Sequence, residues 1–384
     1  MERVDILVAG GGTAGLAAAA ALGTSGLSVL CVDPSPGEAD DLRTTAILQP
    51  GRDLLDRVGL WAGVEAEATA LNVMRVVDAR GRTPVARDFE AGELGEAPFG
   101  WNVPNRVLRR AFAAGLAALP DVELRRASFA GRLAREEEAL VDLSDGSRVA
   151  ASLLVGADGR NSAVREACGI GVSVTRFGQT ALVFAASHPE PHHGVSTEVH
   201  QRGGPFTLVP LPDRDGRPCS AVVWMTDDAE ARRLMALPPP AFAREAGARS
   251  AGVMGDLTPL GERQAWPVVT QVARRMTARR TALMAEAAHV VPPIGAQGLN
   301  MSLADIAALE RLAGERRDEI GAEPWLAAYA RAREADVRLR ALGIGMLNRV
   351  SQGGLGPLRA LGVRAIHDLG PVRHGLMRLG LGLG

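Results

Sequence analysis

A glycine-rich turn near the start of the chain constrains the fold more than any other feature of the sequence. Residues 4–10, VDILVAG, have the length and continuous apolar character of a strand covered on both faces. The turn GGGTAG follows at once, places Gly10, Gly12 and Gly15 in the spacing GxGxxG around Ala14, and continues into the helical run LAAAAAL. This order predicts an α/β fold in which backbone N–H groups at a helix N-terminus are free for an anionic ligand.

A second apolar strand, LSVLCVD at 27–33, ends in Asp33 about twenty residues after the turn. This is the Rossmann arrangement for a dinucleotide, whose pyrophosphate lies on the helix N-terminus and whose ribose hydroxyls bond the acidic residue. In a chain with 45 glycines the spacing alone is weak, but the strand, helix, second strand and acid together favour one tightly held dinucleotide. The pattern does not distinguish FAD from NAD.

Another strand followed by a turn occurs at 151–169. The apolar run SLLVGA stops at Asp158 and Gly159, and Ser162 is in position to cap a helix that begins near Ala163. Taken alone, this segment predicts a strand, a turn and a capped helix, without indicating a ligand.

The segment AHVVPPIGAQGLNMSLADI joins a rigid stretch of backbone to a bare one and then to a helix. Pro292 and Pro293 fix φ and favour extended backbone before them. Gly295 and Gly298 lack side chains, so another group can approach the main chain. A helix that begins near Asn300 directs free N–H groups into the same space. The segment therefore predicts a site for a flat ligand with a partly negative edge.

Together the three patterns resemble the signatures of the single-component FAD-dependent aromatic hydroxylases. Their second signature, Asp-Gly-x-x-Ser-x-Val-Arg, matches DGRNSAVR, and their third contains Gly-Asp-Ala-Ala-His, a proline pair and Gly-x-Gly-Leu-Asn. The chain departs from the third signature in one place, because Ala285 and Glu286 stand where the family has Gly-Asp. Since Glu286 keeps a carboxylate that can accept a hydrogen bond from a ribityl hydroxyl, the resemblance still implies FAD binding.

Smaller segments agree with this resemblance. DLRTTAIL at 41–48 resembles the family's arginine-bearing segment, and WNVPNRVLRRAF at 101–112 resembles its Asn-Arg-x-x-Leu helix start. GGPFTLVPLP, PPIGAQGLNMSLADI and the Arg-, Gly- and Leu-rich C-terminus resemble the branch of ubiquinone-biosynthesis hydroxylases. Transferred position by position, the resemblance implies an FAD site made of Gly10, Gly12, Ala14, Gly15, Asp33, Arg43, Arg106, Asp158, Gly159, Glu286, Gly295, Gly298, Leu299 and Asn300.

The resemblance also implies a domain organisation. The expected fold is α/β, with a Rossmann-like FAD-binding domain interleaved with an antiparallel β-sheet substrate domain, as in p-hydroxybenzoate hydroxylase-like proteins, and with C-terminal helices. We expect the FAD-binding domain at 1–75, 100–178 and 275–345, the substrate domain at 76–99 and 179–274, and a C-terminal helical segment at 346–384.

The implied reaction is the hydroxylation of an aromatic ring, with NADH or NADPH and O2 as co-substrates. The expected substrate is a polyprenylated phenol intermediate of ubiquinone biosynthesis. Because FAD carries the chemistry, neither a catalytic triad nor a metal is required. His289 and Pro293 are the candidate catalytic residues. A tyrosine relay over the substrate is not expected, because the single tyrosine, Tyr329, lies outside the predicted substrate domain.

Four histidines in a Pro- and Gly-containing stretch raise the alternative of a metal site. Two prolines in this stretch argue against the helix that a pair of ligands four residues apart would need. We therefore expect no metal, and a solvated loop that contains His188, His192, His193 and His200.

Composition limits the partners. A net charge of −1 gives no indication of nucleic-acid binding, and no apolar run predicts a membrane span. We expect a cytoplasmic protein. Its C-terminus either packs as helices on the FAD-binding domain or contacts the inner face of a membrane, or a ubiquinone-biosynthesis complex, through a basic apolar surface containing Arg349, Arg359, Arg364, Arg373 and Arg378.

Three other functions agree with the same motifs. The chain is alternatively a hydroxylase of a small aromatic or secondary metabolite, or a flavin-dependent reductase of prenyl chains. The third alternative is a flavin-binding accessory protein without turnover, because the third motif departs from the family pattern.

Overall fold

A computed structural model describes residues 1–37, 41–81, 84–95, 97–201 and 203–352. Within them the strands, in chain order, are β1 Glu2–Ala9, β2 Val29–Asp33, β3 Thr44–Leu48, β4 Thr69–Leu71, β5 Val73–Asp78, β6 Val85–Glu90, β7 Gly100–Pro104, β8 Val122–Arg126, β9 Phe129–Ala134, β10 Ala139–Leu143, β11 Arg148–Gly156, β12 Val172–Ser187, β13 Val195–Gln201, β14 Gly204–Arg214, β15 Arg217–Asp227, β16 Thr258–Ala273, β17 Thr277–Ala278, β18 Thr281–Leu283 and β19 His289–Val290. The α-helices are α1 Thr13–Thr24, α2 Gln49–Arg57, α3 Asn105–Leu116, α4 Ala163–Ala167, α5 Asp228–Met235, α6 Pro239–Arg249, α7 Ala285–Ala288, α8 Gln297–Glu315 and α9 Glu323–Gln352.

The first sheet brings the three sequence motifs to one edge. Its strand order is β17-β18-β11-β1-β2-β8, with β10 and β9 added antiparallel beside β11. Strands β18, β11, β1 and β2 are neighbours and run parallel, so their carboxyl ends lie side by side. The turn GGGTAG follows β1, Asp33 ends β2, and the turns at Asp158 and Ala285 follow β11 and β18. Turns far apart in the sequence therefore converge where parallel sheets bind ligands.

Helix α1 is held against the first sheet by small side chains. Every residue from Gly15 to Leu22 is buried, and residues 17–21 are alanines. Alanine adds little bulk, so α1 packs between α3 and α8 as well as on the sheet. This packing holds the N-terminus of α1 at the edge where the motifs meet.

The second sheet has the order β19-β16-β12-β15-β14-β13-β5-β6 and is antiparallel except between β13 and β5. Its strands come from 73–90, 172–273 and 289–290. Side chains alternate between its faces. Leu182, Phe184 and Phe206 join an apolar core with Phe242 of α6. The opposite face, which we call the inner face, carries residues such as Val183 and is directed towards the first sheet.

The C-terminal part of the chain continues as a long helix. Of the predicted segment 346–384, residues up to Gln352 belong to α9, and 353–384 lie outside the described residues together with four of the five arginines proposed for a membrane surface. Across the described part of the chain, no helix combines the length and apolar character needed to cross a membrane.

The carboxylate of Asp305 joins α8 to two other parts of the chain. Its Oδ2 accepts hydrogen bonds from Nε2 of His289 at 2.6 Å and from the N–H of Ala285 at 3.0 Å. Its Oδ1 accepts one from Nε of Arg333, in α9, at 2.7 Å. Burial by itself would raise the pKa of Asp305, but His289 and Arg333 hold this pKa below its ordinary value.

We predict that Asp305→Asn lowers the free energy of unfolding by about 3–5 kcal/mol, because it removes the fully buried charge partner of the Arg333 guanidinium. Urea denaturation measures the change. The carboxylate's contribution is complete above the unfolded-state pKa, about 3.9, and is lost as the pH falls through the lower folded-state pKa. Asp336→Asn removes a more exposed partner of Arg333 and should cost less than about 1 kcal/mol. Equal losses in the two variants would contradict this role of Asp305.

Candidate active site

A cavity of about 1310 Å³ lies between the motif edge of the first sheet and the inner face of the second. It exceeds the roughly 300–1,000 Å³ of an ordinary ligand pocket, so it has room for a large cofactor and a second molecule. Of the predicted cofactor-binding and catalytic residues, its wall contains Gly10, Gly12, Ala14, Gly15, Asp33, Arg43, Asp158, Gly159, Glu286, His289, Pro293, Gly295, Gly298 and Leu299.

The glycines of the first turn have two different roles. A Cβ at Gly10 would lie 2.5 Å from the carbonyl oxygen of Ala157, and a Cβ at Gly15 would lie 1.8 Å from that of Gly10. These two glycines are required by the packing of the turn on its neighbours. A Cβ at Gly12 would meet nothing within 4 Å. Since Gly12 lies in the cavity wall, its missing side chain leaves space for a ligand rather than for the protein.

Asp33 is fixed at the end of β2. Its Oδ2 accepts a hydrogen bond from the N–H of Gly11, and its Oδ1 accepts one from the N–H of Ser35, each at 2.8 Å. Nη2 of Arg109 lies 2.8 Å from the same Oδ1. A carboxylate has about four acceptor sites, so these contacts orient Asp33 and leave capacity for a ribose hydroxyl.

The prediction for Arg106 needs correction. Arg106 is exposed on α3 and does not line the cavity. Arg109, one turn further along the same helix, lines it and bonds Asp33. The segment NRVLRRAF contains three arginines, and only the packing of α3 decides which of them faces inward. The helical spacing of apolar Val107, Leu108 and Phe112 is the sequence signal for that face.

The second turn is built around Asp158. Its Oδ1 accepts a hydrogen bond from Oγ of Ser162 at 2.5 Å, and its Oδ2 accepts one from the N–H of Val164 at 3.0 Å. Ser162 in turn caps α4 by accepting from the N–H of Arg165, as predicted. Gly159 has φ +82° and open space where a Cβ would be. The turn therefore presents bare backbone to the cavity.

The departure at the third motif has a structural consequence. Ala285 adopts φ +52°, a left-handed conformation that favours glycine, which is the residue the family has at this position. The carboxylate of Glu286 lies between two guanidinium groups, 3.6 Å from Nη1 of Arg43 and 3.6 Å from Nε of Arg160. The acidic group is thus retained at the cavity wall. The left-handed backbone conformation before it is less favourable for Ala285 than it would be for glycine.

The proline-glycine loop leads into α8 earlier than predicted. The helix begins at Gln297 rather than near Asn300, so the first-turn N–H groups of Gln297, Gly298 and Leu299 are available to a ligand. A Cβ at Gly298 would meet open space. Asn300 does not line the cavity, because its Nδ2 donates to Ala46 and Ala296 and its Oδ1 accepts from the N–H of Leu48.

Of the two candidate catalytic residues, Pro293 is exposed in the cavity wall, whereas His289 is almost entirely buried. Nε2 of His289 donates a hydrogen bond to Asp305, a pairing that no sequence motif indicates. Tyr329 is buried, and its hydroxyl donates to the carbonyl of Leu283. His289 therefore connects the third motif to Asp305 of α8.

The expected solvated histidine loop is partly wrong. His188 is buried, with its ring nitrogens at 2.7 Å from the carbonyl oxygen of Glu190 and 2.9 Å from Oγ of Ser220. His200 belongs to β13 rather than to a loop. His193 is exposed. Strand pairing across the sheet, which the local prolines and glycines concealed, accounts for the difference.

Comparison with known proteins identifies relatives along nearly the whole chain. Residues 3–339 match the model of a family described as FAD binding domain, which confirms FAD as the cofactor. The ubiquinone hydroxylase UbiL of Rhodospirillum rubrum is 35% identical over 390 residues, covering 98% of this chain and 89% of that protein. The 3-demethoxyubiquinol 3-hydroxylase of Escherichia coli is 28% identical over 395 residues, covering 100% and 99%.

Solved structures share the fold. The p-nitrophenol 4-monooxygenase PnpA of Pseudomonas putida superposes with a TM-score of 0.83 at 19% identity, covering 99% of each chain. PqsL of Pseudomonas aeruginosa, in complex with 2-aminobenzoylacetate, gives a TM-score of 0.80 at 22% identity, covering 91% of this chain and 97% of that one. The predicted α/β fold with an interleaved antiparallel sheet is confirmed.

We predict that Gly298→Leu abolishes FAD binding without unfolding the protein. The new side chain enters the cavity, whereas the fold tolerates it because Gly298 lies in a helix, where leucine is favoured over glycine by about 0.5–1 kcal/mol. Gly314→Leu is the matched control, since Gly314 is in the same helix, also has open space around its Cβ position, and lies outside the cavity. Titration with FAD, followed by visible absorbance, checks both variants. Normal flavin content in Gly298→Leu would refute the placement.

We also predict that Ala285→Gly raises the free energy of unfolding by about 1 kcal/mol, because it relieves a left-handed alanine. Ala287→Gly, two residues further on in α7, should lower it by about 0.5–1 kcal/mol, because its φ is not left-handed. Urea denaturation of the two variants is the measurement. Changes of the same sign at both positions would contradict the prediction.

Proposed function

The chain belongs to the FAD binding domain family, and on that premise we propose that it hydroxylates the ring of a polyprenylated phenol in ubiquinone biosynthesis. It is an FAD-dependent monooxygenase. A 35% identical relative named as a ubiquinone hydroxylase supports the pathway, and a second relative is named for hydroxylation of 3-demethoxyubiquinol. NAD(P)H and O2 are the co-substrates that such a reaction needs.

The single observation that carries the proposal is the continuity of the cavity. One end is walled by the bare turns at Gly12, Gly159 and Gly298, and the other by the largely apolar inner face of the second sheet. The first end fits a dinucleotide held through backbone N–H groups. The second end fits an aromatic ring next to the cofactor, against a largely apolar wall.

In the proposed arrangement the N-terminus of α1 holds the pyrophosphate and Asp33 accepts a ribose hydroxyl. The Asp158 turn and Glu286 would hold the ribityl chain, and the loop from Pro293 to Gly298 would border the flavin ring. When bound, FAD supplies the transfer of electrons from NAD(P)H and the activation of O2. The first-turn N–H groups of α8 stabilise negative charge at the adjacent edge of the ring by about 0.3–1 kcal/mol, or up to about 2 kcal/mol when partly buried.

Exposed apolar side chains of α9 next to the cavity favour the proposal of a long apolar substrate. Leu339, Leu342, Met346 and Leu347 form an exposed stripe along α9, each with more than half of its surface accessible. Leu339 and Leu347 also line the cavity, so the stripe is continuous with it. We propose that the prenyl tail leaves the cavity along this stripe, and that the stripe contacts the membrane surface in which such a tail resides.

This proposal predicts a dependence on prenyl length. With NAD(P)H and O2, KM should fall as the prenyl chain of the phenol lengthens, because each buried CH2 contributes about 0.8 kcal/mol. The double variant Leu342→Asn, Met346→Asn should raise KM about tenfold or more for the long-chain phenol and leave the unprenylated phenol unchanged. Leu133→Asn, on β9, removes another exposed leucine and serves as the control.

The outcomes separate the alternatives. KM values independent of chain length would favour a hydroxylase of small aromatics. Oxidation of NAD(P)H without incorporation of oxygen would favour a prenyl reductase, and bound FAD without any turnover would favour an accessory protein. Unchanged flotation of the α9 double variant with vesicles of phosphatidylglycerol and phosphatidylethanolamine would refute the membrane contact alone.

A further inference from the structure

Glu198 is the ionisable side chain that strands β12 to β15 contribute to the described cavity wall. The other wall residues of these strands are small, apolar or hydroxylated, namely Ala181, Val183, Ser196, Thr207, Val209, Ala221, Val222 and Val223. Glu198 therefore places a carboxylate in a wall that is otherwise uncharged along these strands. Because desolvation of a charge is unfavourable unless a partner or ligand compensates, such a carboxylate needs an explanation.

Strand register places Glu198 on the inner face. Glu198 lies opposite Thr207 on β14, Thr207 opposite Val223 on β15, and Val223 opposite Val183 on β12. Directly opposed residues of antiparallel strands point to the same face. Glu198 therefore belongs to one row of side chains that crosses the sheet beneath the cavity.

A neighbouring histidine fixes the carboxylate. Oε1 of Glu198 lies 2.5 Å from Nε2 of His200, two residues further along β13 and on the same face. About a quarter of the Glu198 side chain is exposed, compared with 12% of the His200 side chain. Because Glu198 lines the cavity, its exposed part faces the chamber in which we place the substrate ring.

The other titratable groups near the cavity have different tasks. The Tyr329 hydroxyl donates to the carbonyl of Leu283, and burial raises the pKa of this phenol well above its ordinary value. His289 is engaged by Asp305. Asp158 holds its own turn together, and Glu286 lies between two arginines beside the proposed flavin site. Asp33, Asp41 and Asp336, which also line the cavity, are paired with Arg109, Arg43 and Arg333 respectively. Glu198 is the carboxylate that the inner face itself contributes, in strands β12 to β15.

We propose that Glu198 is a catalytic residue that accepts the phenolic proton of the substrate during hydroxylation, an inference that rests on the proposed function. When a ring carbon ortho or para to the phenol gains an oxygen atom, the ring becomes electron-poor and its O–H becomes acidic. The proton passes to the Glu198 carboxylate, and the O–H electron pair forms a C=O bond. The oxygenated carbon then loses its proton to solvent, and the C–H electron pair restores the aromatic ring. The former C=O oxygen takes the proton back from Glu198, which regenerates the carboxylate. Overall, phenol, O2, NAD(P)H and H⁺ give the dihydroxy product, NAD(P)⁺ and water.

The test compares Glu198→Gln with Glu262→Gln on the full-length, FAD-loaded protein. Glu262 is an exposed glutamate of β16 in the same sheet and does not line the cavity. Each variant is given a prenylated phenol and its methyl ether, which lacks the proton. With the phenol, Glu198→Gln should form product about a hundredfold more slowly, as expected for loss of a general base, and should form less product per NAD(P)H oxidised. With the ether its rate should equal that of the wild type.

Binding gives a readout that does not depend on turnover. Without O2 and NAD(P)H, the wild type should bind the phenol more tightly than the ether, because only the phenol has an O–H that donates to the Glu198 carboxylate. An amide is a weaker acceptor than a carboxylate. In Glu198→Gln this preference should fall about fivefold. Should Glu198→Gln fail to fold, Glu198→Asp carries the same comparison, because its carboxylate is withdrawn by one methylene.

Two results would overturn the assignment of Glu198. One is a product rate with the phenol within about threefold of that of Glu262→Gln. The other is an equal loss with phenol and ether, which would indicate a structural role. If the wild type itself hydroxylates no prenylated phenol, the proposed function fails instead, so the two failures are distinguishable.

Discussion

The geometry of the site depends on the hydrogen bonds that the buried carboxylate of Asp305 accepts. This carboxylate joins α8 to two other segments, namely the third motif, through the backbone of Ala285 and the ring of His289, and α9, through the guanidinium of Arg333. Because a buried charge without partners is strongly unfavourable, these contacts lock the third motif onto α8 and α9. The left-handed conformation of Ala285 persists because the surroundings hold it there. These contacts within the chain therefore fix the backbone from which the loop that borders the cavity begins.

The glycines of the motifs fall into two groups, those that packing within the protein requires and those that leave space for a ligand. Gly10 and Gly15 lie so close to neighbouring backbone that a side chain cannot fit. Gly12, Gly159 and Gly298 have open space instead, and all three face the same cavity. Packing within the chain does not explain why Gly12 and Gly298 are bare, whereas the positive φ of Gly159 is itself a reason for glycine there. A dinucleotide that contacts the main chain explains the other two bare positions, and this links the parallel sheet to flavin chemistry.

Features encoded locally could be predicted from the sequence, and features set by tertiary packing could not. The strand-turn-helix patterns and the cap at Ser162 depend on a few neighbouring residues, and the motif spacing led to the correct fold and cofactor. The choice of Arg109 over Arg106 depends on which face of α3 turns inward. The side chain of Asn300 forms hydrogen bonds with the backbone of β3. His200 contacts Glu198 within β13, a strand for which nearby prolines and glycines indicate a loop.

In the arrangement that we propose, three separated turns hold one flavin against an apolar chamber. The measurement that decides this is the molar ratio of FAD to the purified full-length chain, obtained by visible absorbance after the bound cofactor is released by denaturation. If the turns hold a flavin, the ratio should approach one after incubation with excess FAD and removal of the unbound cofactor. A chain that stays colourless under these conditions would rule the arrangement out.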